Sequence, residues 1–287
     1  MIKFLLMMLA FTGTFLARAQ EGKSCCSPAA TEEKAFGPAQ MALLANDRNF
    51  VKMHEAPLPG ADVPDEGNFV TFPTADSVEG RAFEVKSPEP TGKVLLVFHE
   101  WWGVNEYIRQ EAVRLQKELG NVTVLAIDLY DGKVATTPEE AGKLTQSVTK
   151  ERATNIIKGA LAYVGTNSKV ATIGWCFGGS WSHQAALIGG KQTAACVMYY
   201  GMPEMDVERL KTQNGPVLGI FAKQDGWITP EKVKDFEAAM KKAGKKLTVK
   251  TYDAVHAFAN PSNPKHDKKA AEDANKRAVE FLKKYLL

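Results

Sequence analysis

The apolar residues after position 93 follow two alternating patterns. Short continuous apolar runs, such as Val94–Phe98 and Val170–Ile173, are typical of strands that are buried on both faces. Longer segments such as Glu106–Leu119 lie between them, and their apolar residues recur with the spacing of one helix face. This alternation predicts a mostly parallel sheet with helices on both faces. The sequence therefore predicts an α/β fold, as one domain over residues 68–287.

The other elements are predicted from the same patterns. Two edge strands, Asn68–Phe72 and Val78–Lys86, precede the alternating region and are joined by a turn. The remaining predicted strands are Val122–Ile127, Ala194–Tyr200, Pro216–Ala222 and Leu247–Tyr252. The remaining predicted helices are Pro138–Val148, Glu151–Val164, Ser180–Leu187, Val207–Thr212, Pro230–Ala243 and Lys268–Tyr285. Ligands of such folds bind at the carboxyl ends of the strands.

The N-terminus has the layout of a secretory signal peptide. Lys3 precedes the apolar run Phe4–Leu16, and Ala17-Arg18-Ala19 follows as a cleavage site. We expect residues 1–19 to be removed and the protein to be exported, either to a periplasm or out of the cell. The apolar run is too short to span a bilayer comfortably, which disfavours a membrane anchor. Residues 20–67 form a leader that we expect to be partly ordered and to wrap the domain.

Composition limits the classes of partner. The chain has 287 residues, of which 45% are hydrophobic, enough for one large core. Its net charge is +3, and removal of Lys3 and Arg18 with the signal peptide lowers it to +1. No basic character remains that would favour nucleic acid. We expect a small-molecule substrate, no integral membrane segment after cleavage, and a monomer rather than an oligomer.

The four cysteines do not form a pattern of known metal or disulfide sites. Cys25 and Cys26 are adjacent in the leader, and no spacing typical of zinc ligands is present. The sequence therefore predicts no metal and no cofactor. A lipid anchor at Cys25 or Cys26 is an alternative, but the preceding Gly22-Lys23-Ser24 disfavours it. Cys196 lies in an apolar run and is interpreted as a core residue.

The fourth cysteine, Cys176, lies in a glycine-rich turn between a predicted strand and a predicted helix. The turn reads Gly174-Trp-Cys176-Phe-Gly178-Gly179. A strand that turns sharply into a helix strains the residue at its apex, and glycines around it remove side chains that would clash. The helix that follows directs its N–H groups at the same position. Cys176 is therefore a candidate nucleophile, although a buried structural cysteine is the alternative.

Two further strand ends carry the partners that a thiol nucleophile requires. Asp225 follows Pro216–Ala222, and His256 follows Leu247–Tyr252. The order nucleophile, acid, histidine is that of α/β-hydrolases. His256 would accept the thiol proton and return it to the leaving oxygen, and Asp225 would orient the imidazole. Taken singly, Asp225 could be a turn former and His256 a structural histidine.

Several motifs together resemble the dienelactone hydrolase family. They are the Cys176 turn, Asp225, His256-Ala-Phe258, Asp128-Leu-Tyr130, Tyr199-Tyr-Gly201 and His99-Glu100-Trp-Trp-Gly103-Val104-Asn105. The resemblance extends from about residue 68 to the C-terminus. It implies an α/β-hydrolase fold and a catalytic triad of Cys176, Asp225 and His256. It further implies an oxyanion hole from the backbone N–H groups of Phe177 and Trp101, and a role for Glu100 in gating the thiol.

The sequence departs from this family where the substrate would bind. The family holds the carboxylate of a dienelactone with arginines, and one such position here is Asn260. A second region offers Lys133 and Lys143, and lysine cannot form the bidentate contact that arginine makes. Dienelactone itself is therefore in doubt as a substrate. The residues predicted to line the substrate pocket are Trp101, Trp102, Tyr130, Trp227 and Asn260. Each of the four aromatic residues could equally be part of the core packing.

The sequence as a whole predicts an exported, cofactor-free hydrolase that cleaves a small ester or lactone through a thioester at Cys176. The alternative is a binding or scaffolding protein that keeps a hydrolase fold without using its site, since fold does not determine function.

Overall fold

The computed structural model describes residues 36–58 and 66–287. Its centre is one sheet of eight strands in the order β1-β2-β4-β3-β5-β6-β7-β8. The strands are Asn68–Phe72 (β1), Gly80–Val85 (β2), Lys93–Phe98 (β3), Thr123–Asp128 (β4), Lys169–Trp175 (β5), Thr193–Tyr199 (β6), Val217–Ala222 (β7) and Leu247–Tyr252 (β8). β2 pairs antiparallel with β1 and with β4, and all other neighbours are parallel. The parallel strands therefore end at one common edge.

The α-helices of the described chain, numbered in order, connect and cover these strands. They are Gly37–Leu43 (α1), Arg48–Met53 (α2), Glu106–Leu119 (α3), Pro138–Ser147 (α4), Lys150–Tyr163 (α5), Phe177–Gly189 (α6), Val207–Leu210 (α7), Pro230–Lys242 (α8) and Lys268–Leu286 (α9). α5 and α6 pack on each other and on the sheet, and α3 and α9 form a second such pair. Because the central strands are buried between these layers, they need no polar face.

The predicted fold class is confirmed: the molecule has an α/β-hydrolase fold with a mostly parallel sheet. Every strand and helix predicted from residue 68 onward is present, with ends that differ by a few residues. The largest difference is α6, which begins at Phe177 rather than Ser180. Cys176 is the N-cap residue of this helix, so the helix follows the cysteine directly.

The N-terminal segment, residues 36–58, packs against this domain. α1 lies on α6 and α4, and a short 3-10 helix, Leu44–Asn46, connects it to α2. The segment buries the side chains of Phe36, Met41 and Phe50 in the common core. Asp47 caps α2 by accepting hydrogen bonds from the N–H groups of its first turn. From the sequence, residues 20–67 were expected to form a partly ordered leader, and α2 was not predicted.

Two predictions concern residues that the structure does not describe. The signal peptide at residues 1–19 and the paired Cys25 and Cys26 lie outside the described residues. Within residues 36–58 and 66–287, no helix combines the length and the apolar character that crossing a bilayer requires.

Candidate active site

The turn after β5 has a geometry that only a few residue types tolerate. Cys176 has φ 54° and ψ −118°, backbone angles that residues other than glycine rarely adopt. A Cβ on Gly178 would lie 2.2 Å from the carbonyl oxygen of Phe98, and one on Gly174 would lie 2.1 Å from that of Gly178. These contacts are to backbone, which cannot move aside easily. The glycines therefore allow β3, β5 and α6 to approach closely, with Cys176 at the apex.

Cys176, His256 and Asp225 form a chain of hydrogen bonds at the carboxyl edge of the sheet. The sulfur of Cys176 lies 3.3 Å from Nε2 of His256. Nδ1 of His256 lies 2.6 Å from Oδ2 of Asp225. The other carboxylate oxygen, Oδ1, accepts hydrogen bonds from the N–H groups of Trp227 and Ile228, so Asp225 is fixed in place. The structure thus brings together the three residues that the sequence analysis predicted to act as a unit.

The protonation chemistry of these residues follows from burial and from their mutual charges. Burial alone would lower the pKa of His256, but the carboxylate of Asp225 and the sulfur of Cys176 hold it well above its usual value. Burial raises the pKa of the Cys176 thiol, and the nearby charge of Glu100 adds to this, whereas His256 opposes it. The thiol therefore faces a strengthened imidazole base.

One of the two predicted oxyanion donors lies beside this thiol. The backbone N–H of Phe177, at the start of α6, faces the sulfur and lowers the pKa of Cys176, against the larger effect of burial. Trp101 is buried in the loop after β3, and its carbonyl oxygen accepts a hydrogen bond of 3.1 Å from the hydroxyl of Tyr130. That hydroxyl also contacts Oγ1 of Thr145 at 2.7 Å. Tyr130 is thus placed to hold the Trp101 loop.

Glu100 is buried between the site and a neighbouring cavity. Its carboxylate accepts hydrogen bonds from the hydroxyl of Tyr200, at 3.3 Å, and from the side-chain amide of Asn260. Burial raises the pKa of Glu100 to about 7, despite these two hydrogen bonds and the charge of His256. Its hydrogen bonds go to Tyr200 and Asn260, while those of the thiol go to histidines. The predicted gating role of Glu100 stays a prediction.

The residues predicted to line a substrate pocket separate into two groups. Trp102 and Asn260, with Glu100 and Trp175, line a cavity of about 320 Å³ between α3 and α9. Trp227 instead packs against His256, and Trp101 packs against Phe50. Tyr130 is buried and does not line this cavity. The cavity therefore adjoins Glu100 rather than opening directly onto the thiol.

The N-terminal segment covers the thiol itself. The ring centroid of Phe50 lies 5.5 Å from that of His256 and 5.6 Å from that of Trp101. Nε2 of His54 lies 3.9 Å from the sulfur of Cys176. Cys176 and His256 are each only 1% exposed in this arrangement. The sequence analysis missed Phe50 and His54, and no motif around them could have indicated the contact.

A parallel sheet with a cysteine at a strand-to-helix turn, followed along the chain by an acid and a histidine at later strand ends, defines an α/β-hydrolase. The model of the dienelactone hydrolase family matches residues 78–286. The chain therefore belongs to the dienelactone hydrolase family, and it is a hydrolase of ester or lactone bonds.

Individual relatives agree with this assignment. The chain is 30% identical over 236 residues to protein usf of Aquifex pyrophilus, covering 77% of this chain and 99% of that protein. It is 28% identical over 207 residues to a carboxymethylenebutenolidase of Pseudomonas sp. strain P51, covering 67% of this chain and 85% of that protein. A dienelactone hydrolase-like promiscuous phosphotriesterase from metagenomic libraries shares the fold, with TM-score 0.66, 18% identity, and coverage of 77% of this chain and 100% of that one.

Proposed function

We propose that this chain is an exported hydrolase that cleaves small esters or lactones through a thioester on Cys176, with His256 and Asp225 as its base and orienting acid. The observation that carries the proposal is the continuous hydrogen-bond chain from sulfur to imidazole to carboxylate, at 3.3 Å and 2.6 Å. A core cysteine has no need of an imidazole that is itself held by a buried carboxylate.

Acylation transfers the acyl group from the substrate oxygen to the sulfur of Cys176. The Cys176 sulfur bonds to the acyl carbon while its proton passes to Nε2 of His256. The resulting oxyanion accepts hydrogen bonds from the N–H groups of Phe177 and Trp101. The carbon–oxygen bond to the leaving group then breaks, and the leaving oxygen takes the proton from His256. The enzyme is left as a thioester, and an alcohol departs from an ester or stays tethered in an opened lactone.

Deacylation repeats this chemistry with water. His256 removes a proton from the attacking water, a second tetrahedral intermediate forms, and the carbon–sulfur bond breaks. The thiolate recovers its proton from His256, and a carboxylic acid is released. Asp225 keeps the imidazole in one orientation throughout and stabilises its charged form.

The surroundings favour a substrate without a carboxylate. Asn260 occupies a position at which the family uses arginine, and its amide is already bonded to Glu100. The cavity beside Glu100 contains Arg114, but Arg114 is paired with Glu111 and Glu118. An anionic substrate would therefore meet no uncommitted guanidinium among these residues, and we propose uncharged short-chain esters and lactones as the substrate class.

Turnover requires the N-terminal segment to move. Phe50 and His54 occupy the space above the thiol, so an ester can reach Cys176 only when α2 shifts away. Movement of covering segments on the microsecond to millisecond timescale is common in enzymes and compatible with catalysis. The layout of residues 1–19 supports export.

The test is hydrolysis of short-chain nitrophenyl esters and small lactones in the presence of a chelator. We expect Cys176→Ala to lower kcat/KM by at least about 1,000-fold, as loss of a nucleophile does elsewhere. Cys196→Ala removes a second buried thiol that lies outside the site and should keep the wild-type rate. Equal rates for Cys176→Ala and wild type would contradict the assignment. Absence of turnover in the wild type across the panel would favour a non-catalytic binding role.

A further inference from the structure

His54 has no role in the hydrolytic steps, although it is only 3% exposed and lies against the catalytic residues. It follows α2 directly, and its Nδ1 lies 2.8 Å from the carbonyl oxygen of Phe50. A carbonyl oxygen can only accept, so Nδ1 carries the proton. Nε2 of His54 is then left with a lone pair, and it points at the sulfur of Cys176 from 3.9 Å.

Two imidazole nitrogens therefore converge on one sulfur. In its neutral form, His256 donates from Nδ1 to Asp225, so its Nε2 also offers a lone pair to the thiol at 3.3 Å. The thiol has one proton and can satisfy only one of these nitrogens. Within the described residues, the second nitrogen is left with a long contact in a buried site, which costs free energy. A cation bound between the three atoms would satisfy all of them at once.

The spacing of the three atoms suits a tetrahedral metal ion. The sulfur of Cys176 and Nε2 of His54 and His256 all lie within 4.8 Å of one another. Zinc bonds of about 2.3 Å to sulfur and about 2.0 Å to nitrogen place such ligands roughly 3.3–3.6 Å apart around a tetrahedron. The contact from Cys176 to His256 is already in this range at 3.3 Å, and that from Cys176 to His54 is longer at 3.9 Å. The two imidazole nitrogens must approach each other by up to about 1.5 Å, the difference between 4.8 Å and 3.3 Å.

The histidines are also supported as metal-binding histidines are. A ligating histidine characteristically donates its second ring N–H to a carboxylate or a backbone carbonyl, which fixes the ring and raises its basicity. His256 makes the first kind of bond, to Asp225, and His54 the second kind, to Phe50. One thiolate with two imidazoles suits zinc and related ions, whereas magnesium and calcium prefer oxygen ligands.

We propose that His54, Cys176 and His256 bind Zn²⁺ or a similar thiophilic divalent ion, and that the bound ion holds the N-terminal segment closed over the active site. On binding, the sulfur–hydrogen bond breaks, its proton leaves to solvent, and a sulfur–metal bond forms. The fourth ligand position is left for water, which requires no further side chain.

The ion would act as an inhibitor of the hydrolase, a consequence that rests on the proposed function. Coordination engages the sulfur lone pair that would attack an ester and the imidazole nitrogen that would take its proton. It also ties α2 to the turn after β5. This site could not be predicted from the sequence, because His54 is separated from Cys176 by 122 positions and no short spacing pattern connects them.

The experiment is a titration of the reduced, metal-free chain with Co²⁺, followed by displacement with Zn²⁺. We expect one equivalent to bind, with visible absorption typical of tetrahedral Co²⁺ and a thiolate-to-cobalt charge-transfer band in the near ultraviolet. Cys176→Ser should abolish the charge-transfer band. His54→Ala should weaken Zn²⁺ binding by at least about 100-fold, since loss of even an outer-shell partner costs 10–100-fold.

The matched control is His266→Ala, which removes a partly buried histidine outside the cluster and should bind the ions like the wild type. Circular dichroism and thermal unfolding of each variant show whether it folds. If His54→Ala does not fold, the proposal is tested by whether Cys176→Ser loses the charge-transfer band. Absence of a charge-transfer band in the wild type, or equal affinity and spectrum in folded His54→Ala, would overturn the proposal. Ester hydrolysis is measured separately in chelator, so an inactive protein that binds Zn²⁺ would disprove the function and leave the metal site standing.

Discussion

The turn that presents Cys176 and the segment that covers it are built in contrasting ways. The turn lies between two central strands and the first turn of α6, where backbone atoms touch backbone atoms and the conformation of Cys176 is strained. The N-terminal segment consists of two short helices that rest on the outside of the domain through a few side chains, chiefly Phe36, Met41 and Phe50. The nucleophile is therefore held by close backbone contacts, whereas access to it is limited by the side-chain contacts of the N-terminal segment.

The turn carries the catalytic chemistry, whereas the N-terminal segment controls access to the thiol. A strained nucleophile needs a rigid frame, because errors of an ångström in the position of a reacting atom are costly. A cover must open within each turnover, so its packing has to be weak enough to release. We therefore expect changes in the turn to abolish folding or activity, and changes in the N-terminal segment to increase access to the thiol.

The largest effect is expected from Gly178→Ala. The added Cβ would lie 2.2 Å from the carbonyl oxygen of Phe98 and 2.3 Å from that of His99, so β3 and α6 must separate. We expect the free energy of unfolding to fall by about 3 kcal/mol or more, and hydrolysis to be lost. Chemical denaturation measures the first quantity. Gly226→Ala, which would meet no atom within 4 Å, serves as the stability control. Wild-type stability in Gly178→Ala would show that this close approach is not needed.

Phe50→Ala is expected to cause a large increase in access to Cys176. Phe50 contacts His54, Trp101, Trp227 and His256, and its removal leaves a cavity beneath α2. Loss of a buried phenylalanine costs about 3 kcal/mol or more, so the open population should rise on the order of 100-fold. The rate at which a bulky maleimide labels Cys176 in the metal-free protein measures this. Phe69→Ala, on the exposed face of β1, is the control. An unchanged labelling rate would mean that the segment does not limit access.

A smaller effect is expected from Glu100→Gln. Burial raises the pKa of Glu100 from its usual 4.5 to about 7, so the folded protein keeps a proton that the unfolded chain releases between these values. The contribution of Glu100 to stability is therefore complete below about pH 4.5 and falls as pH rises toward 7, by on the order of 3 kcal/mol.

Urea unfolding of the wild type and Glu100→Gln between about pH 4.5 and 7 gives the free energies of unfolding that test this prediction. The difference in unfolding free energy between the two should shift with pH in favour of the variant as pH increases. Glu280→Gln, on the exposed face of α9, should show no such shift relative to the wild type. A difference independent of pH for Glu100→Gln would mean that its carboxyl stays close to its usual acidity.

The smallest effect is expected from Trp227→Phe. The indole Nε1 of Trp227 donates a 2.9 Å hydrogen bond to Asp47, which links the cover to the loop that carries Asp225. Loss of one partly exposed hydrogen bond should increase maleimide labelling of Cys176 by roughly twofold to fivefold. Asp47→Asn, which retains a capping side chain for α2, should give a similar increase. If the two changes multiply when combined, they do not act through a shared bond.

The sequence was sufficient to predict the sheet domain and the grouping of Cys176, Asp225 and His256. Parallel strands are buried on both faces and so appear as continuous apolar runs, and their carboxyl ends meet at one edge of the sheet. Residues immediately after those runs must therefore lie together, even when they are far apart in the chain. The glycines of the turn added a local signal for its strained conformation.

The position of the N-terminal segment and the second imidazole at the thiol, that of His54, could not be predicted in this way. α2 is six residues long and has little helical stability of its own, so its place depends on contacts with Trp101 and Trp227. No periodicity in residues 48–54 indicates which surface they bind. The sequence also did not distinguish an aromatic pocket from core packing, because Trp101, Tyr130 and Trp227 suit either.

The most direct test of the account is to trap the acyl-enzyme. A short-chain activated ester is mixed with the metal-free protein, the reaction is quenched in acid within the first turnover, and the peptides are mapped by mass spectrometry. We predict one acyl group on Cys176, absent from Cys176→Ala and longer-lived in His256→Ala. An acyl group on Ser180 or Ser182 instead, or turnover without any acyl group on Cys176, would contradict the claim that this thiol is the nucleophile.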